Sequence, residues 1–300
     1  MNTTFQELIE TGEVILADGG MGTLLLALGL GRGVAPEMWN IEQPEQVRKI
    51  HRDYIAAGAQ IILTNSFGGN RRRLSYHDLS ERTRELNRAA AQVARLEAEA
   101  AETSVLVGGS MGPTGALMEP LGDLTFEGVK STFEEQAGAL IEGGVDVLWV
   151  ETMSDLQEVL AAIEGCRAVA PDFPIVATMT FDTHGHTSMG ISPQAAMEAL
   201  GGLNVVAIGG NCGNGPAEIE AVIEIMHKAN PDVMLVAKSN AGAPRMEGDR
   251  QVYDASPEIM AEHALRVRDL GARIIGACCG STPEHVRAMA HVLQVGHSTA

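Results

Sequence analysis

Three of the four cysteines in this 300-residue chain stand at Cys212, Cys278 and Cys279, the last two adjacent. Each position closes a short apolar run and is followed closely by glycine, in Asn211-Cys212-Gly213 and Cys278-Cys279-Gly280. Neighbouring residues in extended backbone point their side chains in different directions, so the pair does not readily join as a disulfide. In a reducing compartment, four cysteines read as ligands, nucleophiles or small buried hydrophobes and not as a disulfide framework. Singly, each would be taken for a core residue. Together, at the ends of nearby strands, they read as a metal site. Three cysteine ligands leave one tetrahedral position open, the mark of a catalytic zinc. An incoming thiol would fill it. A free thiol, with a pKa of about 8.5, is mostly protonated at neutral pH, whereas a zinc-bound thiol is deprotonated.

Other residues join this set. Glu151 ends a strongly apolar run, where a carboxylate is costly without a partner, and a substrate ammonium fits that need. Asp18 precedes a glycine-rich turn. It would either do similar work or hydrogen-bond the turn itself. Gly19 and Gly20 would cradle a substrate carboxylate with backbone amides, or simply form a tight turn. Trp39 and Phe67 are candidates for a donor pocket, while Trp149 and Cys166 read as structural. His184 and His186 read as an exposed loop. Lys238 raises the alternative of a Schiff-base enzyme, but no phosphate-binding pattern accompanies it.

These residues must be positioned by repeated elements. Eight short β-branched runs recur at 13–17, 61–64, 105–109, 146–151, 175–180, 205–210, 233–237 and 273–277, separated by stretches of helical period. PEQVRKIHRDYIAAG and PAEIEAVIEIMHKAN are two such helices, the latter with Pro216 at a favourable early position. Nearly continuous apolar strands alternating with helices predict parallel strands buried on both faces. The expected fold is α/β, a (β/α)8 TIM barrel in a single domain over residues 1–300, with catalytic groups at the C-terminal ends of the strands. A doubly wound open sheet is the rival, but DGGMGT is not the GxGxxG fingerprint. The last five residues read as a frayed tail.

Composition narrows the function. Thirty-nine acidic against 21 basic residues give a net charge of −18, which disfavours nucleic acid and anionic membrane surfaces. No secretory signal and no run of about 18 apolar residues is evident. A cytoplasmic protein with no membrane or nucleic-acid partner, a monomer or small homo-oligomer, is expected.

The motif order ADGGMGT, HRDYIAAGAQIILTNSFGGN, GSMGPTG, VETMSDLQE, GGNCGNGP, KSNAGAP and GACCGSTPEHVRAM closely resembles the homocysteine S-methyltransferase family, over nearly the whole chain. That family includes betaine-homocysteine methyltransferases, S-methylmethionine-dependent enzymes and the homocysteine domain of cobalamin-dependent methionine synthase. The resemblance implies a zinc barrel with Cys212, Cys278 and Cys279 as ligands. It also implies homocysteine contacts at Asp18, Gly19, Gly20 and Glu151, with Asn211 beside them. A zinc-bound homocysteine thiolate would attack a methyl donor and yield methionine. Segments from PEMWNIEQPEQVRKIHRDYIAAG through FDTHGHTSMG look like short bacterial betaine-dependent proteins, so a small donor such as glycine betaine is expected. S-methylmethionine, or methylcobalamin on a corrinoid protein, is the alternative: TNSFGGN and SMGPTG look more like the methionine synthase module. Gly68 and Thr152 stand where animal-type betaine enzymes carry tyrosines. A non-catalytic zinc module would need a fourth ligand, and only three are evident.

Overall fold

Each apolar run pairs with its neighbours in parallel, because a strand apolar on both sides is satisfied only with side chains packed inside and outside it. The computed structural model describes residues 5–295 except Arg32 and Asp249, and only the backbone of Arg250, so the expected tail at 296–300 lies outside the described residues. The strands are β1 (Ile15–Leu16), β2 (Ile61–Leu63), β3 (Leu106–Met111), β4 (Val147–Met153), β5 (Ile175–Met179), β6 (Ala207–Cys212) and β7 (Leu235–Ser239). A hairpin of β8 (Arg245–Glu247) and β9 (Arg250–Val252) follows, then β10 (Ala272–Ala277). Eight of these pair in the order β1-β10-β7-β6-β5-β4-β3-β2. The seam closes where Ala17 bridges Ile61 and the Asp18 amide donates to the Ile61 carbonyl at 2.9 Å. The fold is the expected single-domain (β/α)8 barrel.

Two apolar layers hold it. Inside the barrel, Ile15, Ile61, Leu106, Val147, Trp149, Val176, Val236 and Ile274 form one cluster, and Phe5 of the N-terminal helix Phe5–Glu10 packs onto it. Outside, the helices cover the sheet with a larger cluster that includes Leu148, Val150, Ile208 and Ile275. Adjacent strand residues thus divide between the two layers, as the period of two requires. Several helices begin with proline at their first position. Ser192 Oγ, for example, accepts from the Ala195 amide at 3.1 Å, capping Pro193–Leu200. The two helices expected at PEQVRKIHRDYIAAG and PAEIEAVIEIMHKAN run over Pro44–Ala56 and Pro216–Ala229.

The strands do not end where their apolar runs do. β3, β4, β6 and β7 continue about two residues further, through Ser110, Thr152, Cys212 and Ser239. Ser110, Cys212 and Ser239 keep their ladder pairing, whereas the Thr152 amide turns to Asn211 and Cys278 and Cys279 follow the end of β10. The hairpin of β8 and β9 has no strong sequence signal, since each of its strands is only three residues long. Among the described residues, no helix is long and apolar enough to cross a membrane.

His51, in the helix Pro44–Ala56, is fully buried with neither ring nitrogen hydrogen-bonded. Burial pulls its pKa down to about 4 from 6.5. Its unfolded form takes up a proton first, so stability is complete above pH 6.5 and is lost as pH falls toward 4, by about 3 kcal/mol. Urea denaturation at pH 7 and pH 4.5 should show this loss, and His51→Leu should flatten it.

Candidate functional site

The mouth of the barrel holds a cavity of about 260 Å³, lined by residues from the ends of β1, β2, β3, β4, β6, β7 and β10. That is near the lower bound for small-molecule pockets, about 300 Å³, and is of a size for small metabolites.

On one side the sulfurs of Cys212, Cys278 and Cys279 lie within 4.8 Å of one another, with Cys212 Sγ 2.9 Å from Cys278 Sγ. No disulfide joins them. The adjacent pair can face one point because the chain turns as β10 ends. Ser281 Oγ donates to the Cys278 carbonyl at 2.7 Å and accepts from the Gly20 amide at 2.9 Å, while Gly280 takes a positive φ of 79°. Gly20 permits this approach, since a Cβ there would lie 2.7 Å from the Cys278 carbonyl oxygen. The thiols cannot all ionise by themselves. Contacts with Cys212 and Cys278 pull Cys279 down to about 3, whereas the contact with Cys278 pushes Cys212 well above the ordinary thiol range. Only a cation among them would hold three thiolates together. Three soft donors facing a cavity, with no fourth in the group among the described residues, suit a metal ion that keeps one position for a ligand. His184 and His186 are exposed and lie outside this group.

Glu151 lies beside the sulfurs, 7% exposed. Ser110 Oγ donates to its Oε1 at 2.6 Å and Asn211 Nδ2 to its Oε2 at 3.3 Å. It forms no ion pair, and burial pushes its pKa up to about 7. A shift in pairing between β4 and β5 after Val150 turns this part of the strand into the mouth. The neighbouring Thr152 and Cys212 both have φ of 60°, a left-handed backbone that a β-branched residue rarely adopts. Asn211 locks them together. It accepts from the Thr152 amide at 2.9 Å and from Thr178 Oγ1 at 2.7 Å, and donates to Thr152 Oγ1 at 2.7 Å.

Asp18 and Lys238 form a buried ion pair at 2.6 Å. The second Asp18 oxygen accepts from the Leu63 amide at 2.7 Å, so both oxygens are engaged within the protein. Burial raises the Asp18 carboxyl above its ordinary range, against the pull of Lys238. Burial also opposes the Lys238 charge, but Asp18 outweighs it and holds the ammonium protonated. A Schiff-base lysine needs the reverse. Gly19, Gly20 and Phe67 line the cavity, whereas Trp39 packs against the outer core and does not line it. Glu37, Arg73 and His77 also line it. They escaped the sequence reading because they sit in loops with no period to flag them.

Residues 15–293 match the family described as homocysteine S-methyltransferase. The chain belongs to that family. It is 33% identical over 300 residues to a methionine synthase of Mycobacterium leprae, covering 95% of this chain and 25% of that protein. It is likewise 33% identical to a methionine synthase of Mycobacterium tuberculosis over 291 residues, covering 92% of this chain and 24% of that one. The chain therefore spans about a quarter of the length of these relatives. Among solved structures, the metallated homocysteine methyltransferase MmuM of Escherichia coli superposes with a TM-score of 0.80 at 25% identity, covering 95% and 98% of the two chains. Its apo form gives a TM-score of 0.73. Homocysteine methyltransferases thus share this barrel over nearly its whole length.

Two consequences are measurable. Lys238→Met leaves Asp18 buried without its cation and should cost about 3–5 kcal/mol in urea denaturation, while the double variant with Asp18→Asn should recover much of that loss. Glu151 keeps a proton in the fold that it loses when unfolded, so stability of the ligand-free protein is full below pH 4.5 and falls as pH rises through 7, by about 3 kcal/mol. Glu151→Gln should remove that fall, raising stability at pH 8.

Proposed function

We propose that the barrel, over residues 1–300, binds homocysteine and methylates its sulfur to form methionine, using zinc held by Cys212, Cys278 and Cys279. The observation that carries this reading is the convergence, in one small cavity, of three thiols and a buried carboxylate without a cation. A thiol amino acid supplies what each lacks. When bound, zinc would keep the substrate sulfur as thiolate at neutral pH, where a thiol of pKa about 8.5 is mostly protonated.

The chain's own residues do the rest. Glu151 takes the substrate ammonium, and Ser110 and Asn211 fix its carboxylate so that orientation is set before substrate arrives. Gly19 offers its backbone amide to the substrate carboxylate end, while Gly20, whose amide is held by Ser281, lets the chain pass close to Cys278. The cavity walls exclude water from the nucleophile. In the reaction, a sulfur–carbon bond forms and the bond from the methyl group to its carrier atom breaks. The electron pair of that bond stays on the carrier, and the thiol proton goes to solvent.

A small donor, such as glycine betaine or S-methylmethionine, suits the cavity. An aromatic cage for betaine would lack Trp39, which stands off the cavity, and would rest on Phe67. A second reading, a methyl group delivered from a corrinoid protein, is favoured by the mycobacterial methionine synthases, of which this chain matches only a quarter.

The test is methionine formation by the zinc-loaded protein from homocysteine with glycine betaine, S-methylmethionine, a dimethylsulfonium compound and methylcobalamin in parallel. One donor should give methionine, and Cys278→Ala should lose both activity and bound zinc, read by elemental analysis. Unaltered zinc content in that variant would refute the ligand assignment.

A further inference from the structure

Opposite Thr178 of β5, β4 carries one residue too many. Val150 pairs with Ala177 and Met153 with Met179, so Glu151 and Thr152 together face Thr178 alone. Such a bulge takes backbone groups out of the ladder and re-aims side chains. The Thr152 amide goes instead to Asn211 Oδ1 of β6, at 2.9 Å. The same oxygen accepts from the Thr178 hydroxyl at 2.7 Å. An amide oxygen has two lone pairs, and both are used. The Asn211 side chain therefore cannot turn over without breaking two hydrogen bonds in a dry place. Asn211 and Thr178 are both fully buried, and neither lines the cavity.

The nitrogen end of that amide faces the chemistry. Asn211 Nδ2 has two hydrogens and three acceptors in reach: Thr152 Oγ1 at 2.7 Å, Glu151 Oε2 at 3.3 Å and Cys212 Sγ at 3.5 Å. The shortest contact claims one hydrogen, and the carboxylate and the sulfur share the other. Thr152 Oγ1, having accepted from Asn211, keeps its own hydrogen for Cys212 Sγ, 3.8 Å away and reachable because sulfur is large. A Cys212 thiolate has no hydrogen to give, which settles the direction of that contact. Every bond in the series then points one way, from Thr178 through Asn211 and Thr152 to the sulfur, with a branch to Glu151. Hydrogen bonds aligned in this manner polarise one another in a dry interior.

We propose that Thr178 is a positioning residue whose buried hydroxyl fixes the polarity of this relay, so that Asn211 presents hydrogen-bond donors to both the Cys212 sulfur and Glu151. The proposal rests on the homocysteine methyltransferase reading above and adds to it a residue outside the cavity. Groups that hydrogen-bond a ligating atom set its orientation and charge, and losing one costs about 10- to 100-fold in metal affinity. Because one amide meets both the sulfur ligand and the carboxylate, it registers the sulfur and ammonium ends of the amino acid against each other. Valine at 178 would keep the shape of the core but leave Asn211 Oδ1 with one lock in place of two. The amide could then turn its oxygen toward Glu151 and Cys212, two groups that also accept.

The experiment compares the full chain as wild type, Thr178→Val, Thr178→Ser and Thr152→Val. Zinc affinity is read by competition with a chromogenic chelator, homocysteine Kd by calorimetry at saturating zinc, and stability by urea denaturation. Thr178→Val should weaken zinc binding about tenfold and raise homocysteine Kd by about as much. Thr178→Ser keeps the hydroxyl and drops a buried methyl, so it should restore both affinities while staying less stable than the wild type. Binding then follows the hydroxyl and not stability, a pattern that a merely structural role does not produce. Thr152→Val removes only the hydroxyl at the sulfur end and should weaken zinc binding by a similar factor, with homocysteine Kd near that of the wild type. Unchanged zinc affinity in Thr178→Val or Thr152→Val, or losses that serine at 178 does not restore, would overturn the proposal. Should Thr178→Val not fold, the other two variants decide it, since zinc affinity must fall in Thr152→Val and hold in Thr178→Ser. If the wild type binds zinc but not homocysteine, the homocysteine reading fails while the sulfur end of the relay is still read from the zinc affinities. A wild type that binds no zinc overturns both.

Discussion

The contact between Lys238 and Asp18 is the one on which the rest of the mouth depends. Both groups are almost wholly buried, so each would be untenable alone, and their attraction must offset the loss of water from two ions. The pair sits where the barrel most needs a tie. β1 has only two residues, and the seam with β2 rests on one bridge and a few backbone bonds. Asp18 spans that seam, reaching the Leu63 amide with one oxygen and Lys238 of β7 with the other. A single carboxylate thus joins three strands. It also holds the Lys238 ammonium near the axis, where Asp18 meets its charge and Glu151 feels it only from a distance.

Around that tie the mouth divides into two unlike halves. The inner half is dense, with strained backbone at Thr152 and Cys212 that costs on the order of 1–3 kcal/mol for each residue. Asn211 compensates by hydrogen-bonding into β4 and β5 from β6. The outer half is built from the loops after β1 and β2, with Glu37, Phe67 and Arg73 held by backbone amides and a glycine surface. Strand ends therefore carry the inner half, and connecting loops carry the outer half.

The architecture was legible because buried parallel strands leave an uninterrupted apolar trace, and seven of the eight ended in residues that apolar burial cannot explain. The sulfur cluster was legible for the same reason, as was the position of Glu151. What the sequence did not disclose is how polar groups are used once assembled. Asp18 reads as a substrate contact by its place in the chain, yet both its oxygens are engaged by Lys238 and Leu63. Asn211 reads as a neighbour of a ligand, yet its amide is a brace between strands. Each of these depends on contacts between residues dozens to hundreds of positions apart, which no local pattern encodes. The strand ends were read short for a simpler reason, since polar residues interrupt hydrophobic periodicity without interrupting the ladder.

The parallel pairing of β1 with β10 has a consequence for how the protein comes into being. The first strand meets β10 only once all the residues between them have been made, and the Gly20–Ser281 hydrogen bond joins residues 261 positions apart. Until then Asp18 has no Lys238, β1 has no neighbour on its far side, and Cys212 waits without the other two thiols. Contacts of such span make for slow closure. The nascent barrel therefore passes through a long interval as an open sheet with an unpaired edge, and the sulfur trio is among the last features to assemble.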